Sequence, residues 1–177
     1  QRVDNNETRK KFEKAWGVKL PSKPGLTISD MIIQARLGKL KAMYIIGEDP
    51  MRSDPNVNHV EKALEKLEFL VVQEIFMNKT AEFADVILPG ASFAEKDGTF
   101  TNSERRVQRV RKAIEPLGDS RPDWKIICDI SNRMGYPMEY KDTEEVMNEI
   151  ASLTPIYAGI SFNRIDKDGL QWPCPDK

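Results

Sequence analysis

Carboxylate and amide side chains directly follow two apolar segments of this sequence, and a polar segment follows a third. Glu48 and Asp49 come after AMYII, and Gln73 and Glu74 come after FLVV. The third apolar segment, DVILPG, leads into EKDGTFTNSERRVQRVRK, which begins with a lysine between acidic residues. A carboxylate accepts two hydrogen bonds from the N1–H and exocyclic amine of guanine, and a lysine pairs with a phosphate group. These residue types suit a site for a large anionic ligand.

Each of these residues also has a structural interpretation, and the spacing alone leaves both open. A carboxylate before Pro50 caps a turn as readily as it binds a ligand. The basic residues from Arg105 to Lys112 are typical of a solvated, salt-bridged face, unless a polyphosphate or an acidic surface of the same protein pairs with them.

The sequence lacks the residues of several common catalytic sites. His59 is the only histidine and lies inside a predicted helix, which argues against a Ser–His or Cys–His pair and a histidine-rich metal site. No glycine-rich phosphate-binding motif of the GxGxxG or GxxxxGK[ST] type is present. Cys128 and Cys174 lie in unrelated contexts, so we predict a reduced, buried Cys128 and no disulfide. The sequence therefore predicts no catalytic residue and no metal ligand in this chain.

Composition and charge exclude two classes of partner. The 27 lysines and arginines are balanced by 28 aspartates and glutamates, so we expect no nucleic-acid binding through bulk charge. No apolar run approaches the roughly 20 residues that span a bilayer, which predicts a soluble protein without direct membrane insertion. We expect a cytoplasmic protein, with a periplasmic form that carries an upstream signal as the alternative. The chain begins without Met in a polar stretch and stops after several prolines, so we expect a fragment of a longer protein.

Three short apolar segments alternate with helical patterns in the first half of the chain. A helix capped by Thr27 precedes AMYII, a helix from Val57 to Leu67 precedes FLVVQEIF, and a short helical turn precedes DVILPG. This alternation predicts an α/β fold, a three-layer αβα arrangement with a mainly parallel, Rossmann-like sheet. Because such sheets bind ligands at the carboxyl ends of their strands, the polar residues described above are placed to line a site.

The flanking segments complete the predicted organisation. Residues 1–26 form a connector with one short helix, and residues 27–177 form a single α/β domain. In the last third, we predict a helix capped by Ser120 with Trp124 and Ile127 facing the core, and a second helix that begins after Asp142.

Four strings together resemble one protein family. They are YIIGEDP, VVQEIFMNKTAEFADVILPGASFAEKDGTFTNSERRVQ, DWKIICDISNRMGYPM and QWPC. They are similar to the molybdopterin oxidoreductase superfamily, and specifically to the catalytic subunit of formate dehydrogenase. The resemblance runs from about Ala15 to Cys174. Nitrate reductases and the large iron–sulfur subunit of respiratory complex I share most of these strings, so they remain alternatives, together with a binding module that has no redox role.

The resemblance implies a specific cofactor and a set of residues that contact it. The cofactor is bis(molybdopterin guanine dinucleotide) with molybdenum or tungsten, at which formate is oxidised to carbon dioxide and two electrons pass to a 4Fe-4S cluster. The residues implied to bind it are Glu48, Asp49, Gln73, Glu74, Thr80, Lys96, Asn102 and Asp123. Irregular backbone around GTFTN is also implied to lie against the cofactor.

The catalytic residues of the family are expected outside this chain. A catalytic Cys or selenocysteine followed by His is typical of the family, but Asp129 follows Cys128 and Pro175 follows Cys174. The cluster ligands are also missing, since there is no four-cysteine motif. We therefore expect this segment to be inactive alone and to act with the remainder of the same polypeptide, which takes formate as substrate, and with an iron–sulfur subunit that accepts the electrons.

Overall fold

A computed structural model of the chain describes residues 1–176. The chain forms two compact units. The parallel-sheet unit comprises Leu26–Glu95 and Ile114–Pro137, and the hairpin unit comprises Gln1–Gly25, Lys96–Ala113 and the chain from Met138 onward. The predicted boundary between a connector (residues 1–26) and a single α/β domain (residues 27–177) stays a prediction. No helix among residues 1–176 is long and apolar enough to cross a membrane.

Three parallel strands form the sheet of the first unit. They are β1 (Ala42–Ile46), β2 (Phe69–Glu74) and β3 (Val86–Pro89), in the spatial order β1-β2-β3. In the register, Tyr44 lies beside Val71, and Val71 lies beside Val86. Since all three strands run the same way and helices connect them, the predicted α/β fold with a parallel sheet is confirmed.

One face of this sheet carries the core of the unit. Helices α2 (Ile28–Arg36), α3 (Pro50–Ser53) and α4 (Val57–Leu64) lie in the connections around it. Val60 and Ala63 of α4 and Val72 of β2 are fully buried. Thr27 caps α2 as predicted, because its side chain accepts a hydrogen bond from the Asp30 amide.

Helix α5 (Asp123–Arg133) differs from its prediction in its start and in its buried face. Within residues 1–176, the Ser120 hydroxyl has no hydrogen-bond partner, and Pro122 occupies the N-cap position without a side-chain bond. Ile126 is buried, whereas Ile127 is 40% exposed. A parallel bridge between Arg121 and Gly90 fixes the segment before α5 to the end of β3. This long-range pairing, rather than a local cap, decides where the helix begins and which side faces inward.

The hairpin unit contains a second sheet that the sequence did not reveal. Antiparallel strands β4 (Gly98–Thr101) and β5 (Arg106–Val110) are extended by β6 (Leu170–Gln171). The irregular backbone expected at GTFTN is therefore wrong for Gly98–Thr101. The turn that follows explains the hairpin, because the Asn102 side chain accepts from the Glu104 and Arg106 amides while Arg105 adopts a φ of 66°.

The hairpin unit has its own core and two helices. Helix α1 (Asn6–Trp16) is the short helix predicted within residues 1–26, and α6 (Thr143–Leu153) begins as predicted after Asp142, which caps two of its amides. The core consists of Val107, Met147, Ile160, Phe162 and Ile165. Strand β5 and helix α6 thus contribute to the same core.

Candidate functional site

The candidate site lies at the carboxyl end of the parallel sheet. Gly47 ends β1 with a φ of 61°, and its amide continues the sheet by donating to the Gln73 carbonyl. The structure places six predicted residues at or beside this end of the sheet: Glu48, Asp49, Gln73, Glu74, Thr80 and Asp123. Lys96 and Asn102 belong to the hairpin unit.

Half-buried Asp49 and buried Thr80 form a clamp between the loops that follow β1 and β2. The Thr80 hydroxyl donates to Asp49 Oδ1 at 2.5 Å, and the Thr80 amide donates to the same oxygen at 3.2 Å. The hydroxyl also accepts from the Met51 amide at 3.2 Å. Thr80 is fully buried, so its side chain serves to fix the two loops, and Asp49 keeps one oxygen outside the clamp.

Glu48 and Glu74 provide two further carboxylates with remaining acceptor capacity. Glu48 is exposed and accepts from the Ser53 hydroxyl at 2.5 Å. Glu74 is half-buried, and its Oε1 accepts from the Ile75 amide at 2.7 Å. Since each carboxylate oxygen has two lone pairs, both groups can accept further hydrogen bonds from a ligand.

Asn78 belongs to this site, although the sequence analysis did not single it out. Its Nδ2 lies 3.5 Å from Glu74 Oε2, and its Oδ1 accepts from the Ala81 amide at 2.9 Å. Asn78 thus ties the Glu74 carboxylate to the 3₁₀ turn Thr80–Phe83. The signal for it was present, because an Asn just before a helical turn is a typical capping residue.

Gln73 is buried and uses both ends of its amide within the protein. It is 1% exposed, its Oε1 accepts from the Tyr44 hydroxyl, and its Nε2 donates to Asp123 Oδ1 at 2.7 Å. Gln73 therefore connects β1, β2 and the start of α5. Its predicted contact with the cofactor stays a prediction. Asp123, at the end of this chain of hydrogen bonds, is half-buried.

The Tyr44 phenol should report the charge of Asp123. Burial, and then the negative charge of Asp123, raise the pKa of the Tyr44 phenol above its ordinary value of 10.0. A raised pKa means that the folded chain favours the neutral phenol. The neutral Tyr44 phenol therefore contributes fully to the free energy of unfolding below pH 10.0, and this contribution is lost as pH rises through the folded pKa. The phenolate absorbance that Tyr44→Phe removes should appear at higher pH in the native than in the denatured protein. Equal midpoints would contradict this arrangement.

Gly90 is packed closely between Glu74 and Asp123. A Cβ at this position would lie 3.1 Å from Asp123 Oδ1 and 3.8 Å from the Glu74 carbonyl carbon. Gly90→Ala should therefore displace the Asp123 carboxylate and lower the free energy of unfolding by about 1 kcal/mol, as mild overpacking does. Gly25→Ala is the control, because a Cβ there meets nothing within 4 Å. Equal denaturant midpoints for the two variants would contradict the close packing.

An exposed apolar loop borders the carboxylates. Ile75, Phe76 and Met77 follow Glu74 directly and are 47%, 76% and 68% exposed. Large apolar side chains next to convergent hydrogen-bonding groups are typical of ligand sites. This loop is therefore a second feature of the site that the sequence analysis did not identify.

Glu95 accepts hydrogen bonds that stabilise the loop after β3. It is 7% exposed, and its two carboxylate oxygens accept from the Ser92 amide at 2.7 Å and the Leu117 amide at 2.8 Å. Lys96, the next residue, is half-buried. The predicted cofactor contacts of Lys96 and Asn102 stay predictions.

Within residues 1–176, no three His, Cys, Asp or Glu side chains come together as a metal site. Cys128 is buried and free, as predicted, and burial followed by the charge of Asp129 raises the pKa of its thiol. A raised thiol pKa reduces the thiolate that nucleophilic chemistry needs.

Comparison with known proteins identifies the family. A family model described as molybdopterin oxidoreductase matches residues 4–133. The chain belongs to the molybdopterin oxidoreductase family. The resemblance noted from the sequence is thereby confirmed, and membership of this family implies a molybdopterin cofactor.

Two curated relatives match nearly the whole chain. A Bacillus subtilis (strain 168) protein named "Probable oxidoreductase YjgC" is 49% identical over 174 residues, which cover 98% of this chain and 18% of that protein. A Staphylococcus aureus (strain USA300) protein named "Putative formate dehydrogenase" is 49% identical over 178 residues, which cover 99% of this chain and 18% of that protein. The chain thus spans less than a fifth of the length of these relatives.

A solved structure shares the fold. Acetylene hydratase from Pelobacter acetylenicus superposes with a TM-score of 0.65 at 22% identity, over 96% of this chain and 24% of that one. At this identity the likeness concerns the fold alone.

The site residues fit the cofactor that membership of the family implies. A pterin ring presents N–H donors along one edge and has flat, weakly polar faces. Glu48 and Glu74 offer carboxylate acceptors at the strand ends, and Phe76 offers exposed apolar surface beside them. The carboxylate acceptors and the apolar surface at this end of the sheet are therefore of the type that suits a molybdopterin cofactor.

Proposed function

We propose that this chain forms part of the cofactor-binding portion of a formate dehydrogenase that carries bis(molybdopterin guanine dinucleotide). Three observations support this proposal. The chain belongs to the molybdopterin oxidoreductase family, and a relative with 49% identity is named "Putative formate dehydrogenase". The third support is the arrangement of carboxylates at the carboxyl end of the parallel sheet, where such folds bind nucleotides.

The observation that carries the proposal is the position of Glu74. Its carboxylate stands at the end of the central strand and is oriented by the Ile75 amide and the Asn78 side chain. Guanine needs paired acceptors for its N1–H and exocyclic amine, and a pre-oriented carboxylate supplies them at low entropic cost. Phe76, 76% exposed, provides apolar surface for the base. Glu74 is therefore the acceptor for the guanine edge.

The neighbouring residues hold or supplement this contact. Glu48 supplies a second exposed carboxylate, and Asp49 contributes the oxygen outside its clamp with Thr80. Asp123, held by Gln73, stands beside Gly90 at the end of β3. These residues bind and orient the nucleotide portion, and they take no part in the chemical step.

When bound, the cofactor would supply the redox chemistry, the oxidation of formate to carbon dioxide and a proton, with two electrons passing to a 4Fe-4S cluster. The residues that ligate the metal and the cluster lie in the remainder of the polypeptide, and an iron–sulfur subunit receives the electrons. The assembled enzyme works in the cytoplasm. The 177-residue chain alone has no formate dehydrogenase activity.

Expression of the longer polypeptide in cells supplied with molybdate or tungstate tests this function. We expect formate-dependent reduction of an artificial dye by the purified protein, and none by the isolated chain. Oxidation of a reduced dye by nitrate, without any formate activity, would instead identify a nitrate reductase. A purified longer polypeptide that contains neither metal would rule out the redox proposal altogether.

A further inference from the structure

A cleft of about 480 Å³ lies within the hairpin unit, beside the start of α6. The start of β4 approaches the start of α6 here, because a Cβ on Gly98 would lie 4.0 Å from Thr143 Cγ2. A concave surface of this volume is large enough to hold a small ligand. The charged side chains that line the cleft are Asp97, Arg109, Asp142, Glu144 and Asp166.

Arg109 is held in this cleft by an aromatic contact. Its guanidinium carbon lies 3.5 Å from the centre of the Phe162 ring, and Phe162 is itself buried. Within residues 1–176, the buried Nε of Arg109 has no hydrogen-bond partner. A guanidinium pairs best with a planar carboxylate, and with Nε buried the terminal nitrogens are the donors for such a pair. Arg109 is therefore a fixed cation that lacks a carboxylate of its own.

Two of the four carboxylates in the cleft are offset by other groups of the hairpin unit. Asp166 forms an ion pair with Arg111. Asp142 accepts from the amides of Glu144 and Glu145 at 3.0 and 3.1 Å, at the positive end of the α6 dipole. These two carboxylates therefore contribute little to the charge that a ligand meets.

Asp97 and Glu144 supply the remaining negative charge. Both are exposed, and neither pairs with a cation in the part of the chain that the structure describes. Asp97 Oδ1 accepts from the Lys112 amide at 3.3 Å, which leaves its second oxygen for a ligand. Together with Arg109, these side chains give the cleft two negative charges and one positive charge. A molecule with two cationic amines and one carboxylate complements them.

We propose that this cleft binds a free basic amino acid, such as lysine. The carboxylate of the amino acid pairs with Arg109, and its two ammonium groups lie against Asp97 and Glu144. Simple anions such as phosphate do not fit, because the acidic side chains of the cleft repel them. The inference goes beyond the proposed function and does not rest on it, since none of these three residues belongs to the proposed cofactor contacts.

Equilibrium dialysis of the longer polypeptide against radiolabelled L-lysine tests the site. We expect saturable binding of one lysine per polypeptide. L-norleucine, which lacks the side-chain ammonium, should compete at least about 3-fold less well. Cadaverine, which lacks the carboxylate, should compete about 10-fold less well. The proposal is overturned by a lack of saturable binding up to about 10 mM lysine, a range that still detects weak ligands, or by equal competition from either analogue.

Three substitutions locate the bound lysine. Arg109→Gln should weaken lysine binding about 10-fold to 100-fold, because it removes a charged hydrogen-bond donor. Glu144→Gln should weaken it about 2-fold to 5-fold, as for an exposed ion pair. Glu139→Gln is the control and should bind as the unsubstituted protein does, because Glu139 is exposed in the same unit but does not line the cleft.

Circular dichroism of each variant shows whether the substitution disturbs folding. If Arg109→Gln does not fold, the comparison of Glu144→Gln with Glu139→Gln decides the matter alone. Unchanged affinity in Glu144→Gln, or in a folded Arg109→Gln variant, would overturn the proposal. The cofactor content of the same samples keeps the two proposals apart. A polypeptide that binds lysine but no cofactor supports the cleft and contradicts only the proposed function.

Discussion

Replacing Glu74 by glutamine in the longer polypeptide should lower the affinity for the molybdopterin cofactor by about 10-fold to 100-fold. The change keeps the size of the side chain but replaces one acceptor oxygen by an NH₂ group, which opposes the N–H donors of guanine. A hydrogen bond to a charged group contributes about 1.5–3 kcal/mol, and each 1.4 kcal/mol corresponds to about a factor of ten in affinity. Cofactor bound per polypeptide, measured at limiting cofactor supply, reports the loss.

A matched substitution separates this contact from a general effect of charge. Glu82 is an exposed carboxylate in the nearby 3₁₀ turn, and Glu82→Gln removes the same charge from the same unit. We expect it to retain the cofactor content of the unsubstituted protein. If Glu74→Gln also binds the full amount of cofactor, Glu74 does not recognise the guanine edge.

Replacing Thr80 by valine should lower the free energy of unfolding by about 1–3 kcal/mol, the cost of leaving buried polar groups without partners. Valine matches the shape of threonine but has no hydroxyl. Asp49 Oδ1 then loses its shortest hydrogen bond, and the Met51 amide loses its acceptor. Because Thr80 is fully buried, water does not replace either partner at low cost. The two loops should loosen together, which chemical denaturation measures.

Asp49→Asn provides the complementary test, because asparagine keeps an acceptor oxygen for Thr80 but removes the charge. We expect its unfolding free energy to fall by about 1 kcal/mol, less than for Thr80→Val, because a neutral acceptor replaces a charged one while both hydrogen bonds remain, and we expect its cofactor content to fall. A stable Thr80→Val variant would show that the clamp contributes little. Full cofactor content in Asp49→Asn would show that Asp49 serves the fold alone.

The parallel sheet could be predicted from the sequence because its signals are local. Each strand is a short apolar run followed by a polar residue or a glycine, and each helix between them has apolar residues at helical spacing. The residues at the strand ends follow from this order, since the carboxyl ends of parallel strands meet at one edge. Glu48, Asp49 and Glu74 therefore lie where the sequence placed them.

The remaining features depend on contacts between distant residues. The predicted contact of Gln73 with the cofactor stays a prediction, but its burial and its hydrogen bond to Asp123, 50 residues away, have no local signature in the sequence. The β4–β5 hairpin was missed because RVQRV is mostly charged or polar and buries only Val107 within β5. The start of α5 was misplaced because the bridge from Arg121 to Gly90 has no local signature. Tertiary pairing, rather than propensity, decides each of these cases.

The most direct test of the central claim is to ask whether a guanine nucleotide accompanies the metal. Acid hydrolysis of the purified longer polypeptide should release GMP together with molybdenum or tungsten, because the proposed cofactor carries guanosine monophosphate in its dinucleotide form. Release of both is the result we predict. A protein that contains the metal and the pterin but releases no GMP would contradict the assignment of this end of the sheet to a guanine nucleotide.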